Sequence, residues 1–200
     1  IAVAGLHSEG HPAMKMPETD EGVIAKRSSL VGRFRKFLSE ESVINDHDEL
    51  KVYETDGLTA YHQLPMIVVL PDTTAQVAKI LKICTSEGVK VVPRGAGTGL
   101  SGGALPLADG VTVGLAKFNR ILDIDYGNRT ATVQTGVTNL AITQAVEAKG
   151  FYYAPDPSSQ IACTIGGNVA ENSGGVHCLK YGVTTNNILG LEMVLIDGEI

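Results

Sequence analysis

Pro93 to Gly103, PRGAGTGLSGG, holds five glycines in eleven residues and follows VKVV, which reads as a buried strand. Glycine at that density costs conformational entropy, so a packed domain needs a reason for it. One reason is a tight turn with positive φ. Another is a ligand that approaches the main chain too closely for a Cβ. Consecutive N–H groups with no side chains in the way make a concave anion site, and phosphate is the usual guest. A plain surface loop is the third possibility, and the flanking residues decide among them.

The flanks are regular. MIVVL, from Met66, reads as a buried strand that Pro71 ends, and Thr73 with Gln76 makes a capping box. Val77, Ile80, Leu81 and Cys84 recur at helical spacing, Gly88 closes the helix, and VKVV is the next strand. The unit is βαβ, and the glycine loop leaves the carboxyl end of its second strand, where open α/β sheets bind ligands. Gly97 to Gly102 matches G-x-G-x-x-G, and Asp123 lies about 20 residues on, as a dinucleotide-binding Rossmann fold requires. A Rossmann loop must open a helix, however. Here GGALPLADG follows, with Pro106 and the Asp109-Gly110 turn ahead of the strand VTVGL. No Gly-Lys-Ser/Thr follows either, so a P-loop is excluded. The reading is a phosphate cradle of another kind, leading from strand to strand.

Downstream come short strands with hairpin signals, VTVGL, ILDID and ATVQT, the last two joined by Tyr126-Gly127-Asn128. A helix follows in VTNLAITQAVEAKGF, capped by Thr138 or Asn139, stopped by Gly150, with Ile142, Ala145 and Val146 inward. This order predicts an α+β fold: a small βαβ lobe at about 60–115, then a larger, mainly antiparallel lobe at about 116–200. Upstream, Leu30, Val31, Phe34, Phe37 and Leu38 form one core-facing helical stripe. Residues 42–65 are polar and turn-rich and are expected to wrap the surface, and residues 1–27 read as a tail. His7 and His11 are four apart, but Gly10 and Pro12 interrupt any helix, so no metal site is expected.

Two more loops expose backbone. YAPDPSSQ has two prolines to stiffen it, and CTIGGNVAENSGG has paired glycines among Thr164, Asn168, Asn172 and Ser173. Such amides and hydroxyls suit the polar edge of a heteroaromatic ring. Each alone could be an Asn/Gly-rich turn; three such loops point to one extended ligand. Sixteen basic against 22 acidic residues, net −6, argue against a nucleic-acid surface and leave an anionic ligand to backbone amides. No apolar run approaches the roughly 20 residues of a membrane span. Cys84, Cys163 and Cys178 have no metal-ligand spacing, and their odd number suits a reducing compartment.

The run from YETDGLTAYHQLP through RGAGTGLSGGALPL and YAPDPSSQIACTIGGNVAENSGGVHCLKYG to VLIDGE resembles the FAD-binding domain of the vanillyl-alcohol-oxidase/p-cresol-methylhydroxylase (PCMH) superfamily. Within it, the run is most similar to the D subunit of bacterial glycolate oxidase and the FAD-linked D-lactate and D-2-hydroxyglutarate dehydrogenases. The likeness covers residues 28–200 and implies a two-lobed PCMH-type domain.

Several residue roles follow from the resemblance alone. Arg94, Gly95, Ala96, Gly97, Thr98, Gly99, Leu100 and Ser101 would wrap the FAD pyrophosphate with main-chain amides. Pro157, Ser158, Thr164, Gly166, Gly167 and Asn168 would border the ribityl chain and isoalloxazine. Asn172, Ser173 and Gly174 would continue that wall. Covalent members carry a histidine in the first glycine loop where Thr98 stands here, so FAD is expected to bind noncovalently. His177 is either a base for a substrate hydroxyl or a histidine that holds its loop; Lys180 and Tyr181 read as structural. The sequence stops at IDGEI, before a further flavin-contacting segment and a substrate-binding cap of the relatives, so the fragment alone is expected to be inactive. The implied activity is oxidation of a small 2-hydroxy acid, glycolate first, to the 2-oxo acid, with D-lactate or D-2-hydroxyglutarate as alternatives. A non-catalytic FAD-fold subunit is the competing class. Implied partners are a second FAD-fold subunit and an iron–sulfur subunit. The implied location is the cytoplasm, or the periphery of the inner membrane through those partners.

Overall fold

The computed structural model describes residues 16–200, and the His7/His11 pair lies outside them. In chain order the elements are α1 (Glu21–Ile24), α2 (Arg27–Phe34), β1 (Val43–Ile44), α3 (His47–Leu50), β2 (Ile67–Val69), α4 (Thr74–Glu87), β3 (Lys90–Arg94) and β4 (Gly110–Gly114). There follow β5 (Ile121–Asp125), β6 (Thr130–Val133), α5 (Asn139–Val146), α6 (Ile165–Glu171) and α7 (Cys178–Tyr181).

The capping box forms as read. Thr73 Oγ1 accepts from the Gln76 amide at 3.3 Å, and Gln76 Oε1 accepts from the Thr73 amide at 3.2 Å. Gly88 ends α4 with φ +69°, the left-handed cap that glycine adopts without a Cβ penalty. β2, β4 and β3 are parallel in the order β1-β2-β4-β3, so β4 lies between the two strands of the βαβ unit. Every residue of β4 is buried, as a central strand covered on both faces should be. The chain must therefore travel from the carboxyl end of β3 back to the amino end of β4. It does so through residues 95–109 in turns, with no helix, which separates this loop from a Rossmann loop.

Leu30, Val31, Phe34 and Leu38 pack with Ile67, Val69, Ile80, Cys84 and Val111 into the main core. Phe34 is fully buried, and truncating it to alanine should cost about 3–5 kcal/mol. Burial also pushes the Cys84 thiol up to about 12. β5 and β6 form a separate antiparallel hairpin, and Val137, Ile142 and Ile165 form a smaller core against Ile121, Val133 and Tyr153.

The structure differs from the sequence reading at four places. Val43–Ile44 is an antiparallel edge strand on β2, with Val43 opposite Val69, rather than surface wrapping. The chain joins the core before residue 27: Asp20 caps α1 by accepting from the Gly22 amide at 2.8 Å, its own amide donates to Asp109 Oδ2 at 3.0 Å, and Val23 is buried. In α5, Ile142 and Val146 are one turn apart and face inward, whereas Ala145, rotated off that face, is exposed. Finally, CTIGGNVAENSGG contains a helix, α6, where its glycines suggest loop throughout. Among the described residues no helix is long and apolar enough to cross a membrane, and no three His, Cys, Asp or Glu side chains cluster to hold a metal ion.

Candidate cofactor site

The first glycine loop is bare in fact as well as in sequence. From Gly95 to Gly103, no backbone N–H donates to another protein group among the described residues. None of these residues is buried, so the free donors stand open to water or to a ligand. Gly97 has φ +71°, and a Cβ there would strike the Arg94 guanidinium. Arg94 itself turns away from the amides. Its Nη1 donates to the carbonyls of Thr55 at 2.8 Å and Ala104 at 3.3 Å, and its guanidinium lies 5.7 Å from the Tyr53 ring. Desolvation pulls the guanidinium below its usual range, against the opposing pull of Asp56 and Tyr53. The Arg94 side chain is thus an internal brace, and its backbone is committed to the sheet, paired with Gly114 and accepting from the Leu115 amide at 2.9 Å, so the expected ligand role begins at Gly95 instead.

The three loops converge. A Cβ on Gly95 would collide with Thr164 Oγ1, which seats the first loop against the start of α6. Ser101 Oγ donates to Glu171 Oε2 at 3.1 Å, which ties the same loop to the end of α6. The second loop joins the third through Asp156, whose carbonyl lies where a Gly175 Cβ would be. Asp156 Oδ2 also holds His177 Nδ1 at 2.7 Å. α5 completes the junction. Fully buried Asn139 donates from Nδ2 to the Pro155 carbonyl at 2.8 Å and from its backbone to the Cys163 carbonyl at 3.0 Å. Thr138 bridges Thr164 as an isolated antiparallel pair.

α6 forms because its first amides find acceptors across this junction: Ile165 donates to the Val137 carbonyl and Gly166 to that of Thr135, each at 2.8 Å. Gly166 must be bare, since a Cβ would lie 2.8 Å from that of Thr135. The Gly167 amide has no protein partner among the described residues. Buried Asn168 Nδ2 and Ser173 Oγ are also without one, an expensive state that a ligand or water would relieve. The structure therefore brings Gly95–Ser101, Thr164, Gly167, Asn168 and Ser173 to one junction with unsatisfied donors.

Other sequence-predicted residues are spent internally. Asn172 takes a left-handed conformation, and its Oδ1 accepts from the Thr185 amide at 3.0 Å and from the Thr185 hydroxyl. A Cβ on Gly174 would strike Cys178 Sγ, so that position is closed by packing. Pro157 is buried and its carbonyl accepts from Gln160, while Ser158 is exposed. His177 is clasped to Asp156 and lies 6.1 Å, centroid to centroid, from the Tyr152 ring; Lys180 Nζ sits 5.0 Å over Tyr181. Tyr53 to Leu58, the start of the resembling run but expected only to wrap the surface, contributes to the site. A Cβ on Gly57 would meet the carbonyls of Gly99 and Thr98 at 2.6 and 2.7 Å, so this segment closes over the glycine loop. Buried Asp56 fixes its turn by accepting from the Leu58 amide at 2.9 Å.

A model of the FAD binding domain family matches residues 65–200, which contain all three loops. The chain belongs to this family. The FAD binding domain described here is 55% identical to glycolate oxidase subunit GlcD of Escherichia coli (strain K12) over 173 residues, 86% of this chain and 35% of that protein. It is 34% identical to a probable mitochondrial D-2-hydroxyglutarate dehydrogenase of Oryza sativa subsp. indica over 197 residues, 98% of this chain and 34% of that one. Among solved structures, p-cresol methylhydroxylase with substrate bound superposes with a TM-score of 0.76 at 22% identity, covering 92% of this chain and 36% of that one. The fold is accordingly the α+β, PCMH-type architecture expected. The chain spans about a third of the length of these relatives.

Proposed function

We propose that the three converging loops bind FAD noncovalently and that the intact protein oxidises a small 2-hydroxy acid, glycolate first, to the 2-oxo acid. The observation that carries this reading is the run of unpartnered amides from Gly95 to Gly103, held against the unsatisfied Gly167 and Asn168 groups of α6 and Ser173 just after it. The 55% identity to a glycolate oxidase subunit favours glycolate over the other 2-hydroxy acids.

The fit to FAD is chemical. Its pyrophosphate needs several donors and no cation, and backbone amides provide them on a chain of net charge −6. Its flavin pyrimidine edge needs polar partners, and the Gly167 amide and Asn168 Nδ2 offer donors. FAD supplies the hydride acceptor when bound. Gly95 to Ser101 would hold the pyrophosphate. Thr164, Gly167 and Asn168 would orient the ring system and exclude water from one side of it. Asp156, by fixing His177 Nδ1, keeps the second and third loops at a constant separation. Thr98 cannot form a histidyl–flavin bond, so the cofactor is held by these contacts alone.

The remaining expectations from the resemblance belong to the same proposal: a second FAD-fold subunit and an iron–sulfur subunit as partners, and a location in the cytoplasm or at the periphery of the inner membrane through them. Oxidation of D-lactate or D-2-hydroxyglutarate, the substrates in the names of other relatives, gives the second reading. Steady-state turnover by the intact protein with a dye acceptor decides between them. The proposal predicts a higher kcat/KM for glycolate than for D-lactate or D-2-hydroxyglutarate. A preference for either alternative overturns the assignment of substrate, and a purified protein with no flavin spectrum overturns the enzyme reading itself.

A further inference from the structure

Glu171 is the last residue of α6, and its carboxylate lies against the bare backbone of the first glycine loop. Oε2 accepts the Ser101 hydroxyl at 3.1 Å. Oε1 lies 3.0 Å from where a Cβ on Gly103 would stand and 3.5 Å from one on Gly99. Among the described residues no Lys, Arg or His forms an ion pair with it. The loop's own cation, Arg94, is engaged with the carbonyls of Thr55 and Ala104. A negative charge is therefore seated beside amides that otherwise suit a polyanion.

Ser101 has one hydroxyl proton. While Glu171 accepts it, that hydroxyl can only accept, and a phosphate oxygen, which also only accepts, gains nothing from it. We propose that Glu171 sets the affinity for the FAD pyrophosphate by competing for the Ser101 proton and by opposing the phosphate charge. Binding turns the Ser101 O–H from the carboxylate to a phosphate oxygen, and the carboxylate withdraws from the loop. No covalent bond changes; one hydrogen bond is exchanged for another. This inference rests on the FAD reading above.

Glutamine in place of Glu171 keeps the size, removes the charge and reverses the hydrogen bond. Its amide donates to Ser101 Oγ and leaves the hydroxyl proton for the phosphate. The test titrates FAD into the apoprotein of the intact protein, followed by quenching of flavin fluorescence, for wild type, Glu171→Gln, Ser101→Ala and the double variant. Glu171→Gln should bind FAD roughly tenfold more tightly, the size of one charge-assisted hydrogen bond gained. Ser101→Ala should change the wild-type affinity less than threefold and the Glu171→Gln affinity about tenfold, because only the latter has a free hydroxyl proton. Unchanged or weaker binding by a folded Glu171→Gln overturns the proposal; weaker binding would make the carboxylate an acceptor for a cofactor hydroxyl. If Glu171→Gln folds poorly, Glu171→Ala serves in its place and must also bind more tightly than wild type. Wild-type apoprotein that takes up no FAD refutes the FAD reading and this inference together. Normal uptake with no gain in the variants refutes this inference alone.

Discussion

Replacing Gly97 by valine tests the cradle at its most constrained point. The residue sits at φ +71°, and a Cβ there would strike the Arg94 guanidinium. An ordinary L-residue held in that left-handed region costs about 1–2 kcal/mol, and a β-branched one lies at the upper end. Displacing the guanidinium breaks its 2.8 Å bond to the Thr55 carbonyl, worth about 1.5–3 kcal/mol for a charged donor. Together the native loop conformation loses about 3–5 kcal/mol relative to its alternatives. At about 1.4 kcal/mol per tenfold, FAD affinity should fall by two to three orders of magnitude. Gly97 belongs to neither hydrophobic core, so the melting temperature should move by only a few degrees. Gly97→Asn separates the two contributions. Asparagine tolerates the left-handed region and retains only the collision with the flexible end of Arg94, so its loss should be intermediate. The assay is calorimetric titration of apoprotein with FAD, beside a thermal melt. If Gly97→Val binds FAD within threefold of wild type, the amides of this loop do not hold the pyrophosphate.

Three further outcomes follow from named groups. Acid precipitation of the purified flavoprotein should leave all flavin in the supernatant, because Thr98 offers no histidyl attachment; flavin in the pellet would contradict noncovalent binding. Cys84, its thiol pushed up to about 12 by burial, should resist iodoacetamide at pH 8.5 in the native protein and react on unfolding, as peptide mass spectrometry would read. At Asp109, burial raises the carboxyl pKa, but the Lys90 ammonium at 2.7 Å and the Asp20 amide outweigh it, and the group ends below the usual carboxylate range. A lowered folded pKa stabilises above the unfolded value near 4 and is lost as pH falls through the folded one. Asp109→Asn should therefore lower the melting temperature at pH 7 by about 3–8 °C, for a cost of about 1–3 kcal/mol, and the difference should shrink in acid.

What the sequence disclosed was governed by short range. Thr73 and Gln76 are three residues apart and Gly88 needs only its own φ, so the ends of α4 could be read directly. The glycine loop could be told from a Rossmann loop because Pro106 and the Asp109-Gly110 turn forbid a helix locally. β1 could not be read. Two residues have no period, and Val43–Ile44 is a strand only because Val69 and Val68 lie opposite. α6 was hidden for a related reason: paired glycines disfavour a helix, and what overrides them is Ile165 in the second core and the Thr135 and Val137 carbonyls that receive its first amides. The convergence of the three loops was legible as a pattern of bare backbone. The side chains that enforce it were not. Glu171 meets Ser101 across 70 residues and Arg94 meets Thr55 across 39, distances over which one sequence carries no pairing signal. Asn172 shows the converse: an amide that looks available in sequence is consumed by Thr185 in the fold.

A crystal structure of the protein with FAD tests the shared site most directly. The pyrophosphate oxygens should lie within hydrogen-bonding distance of backbone nitrogens between Gly95 and Ser101. In the same molecule, the flavin pyrimidine edge should meet the Gly167 amide and Asn168 Nδ2. FAD bound elsewhere, or with its pyrophosphate and its flavin ring both away from these loops, would contradict the site and the function built on it.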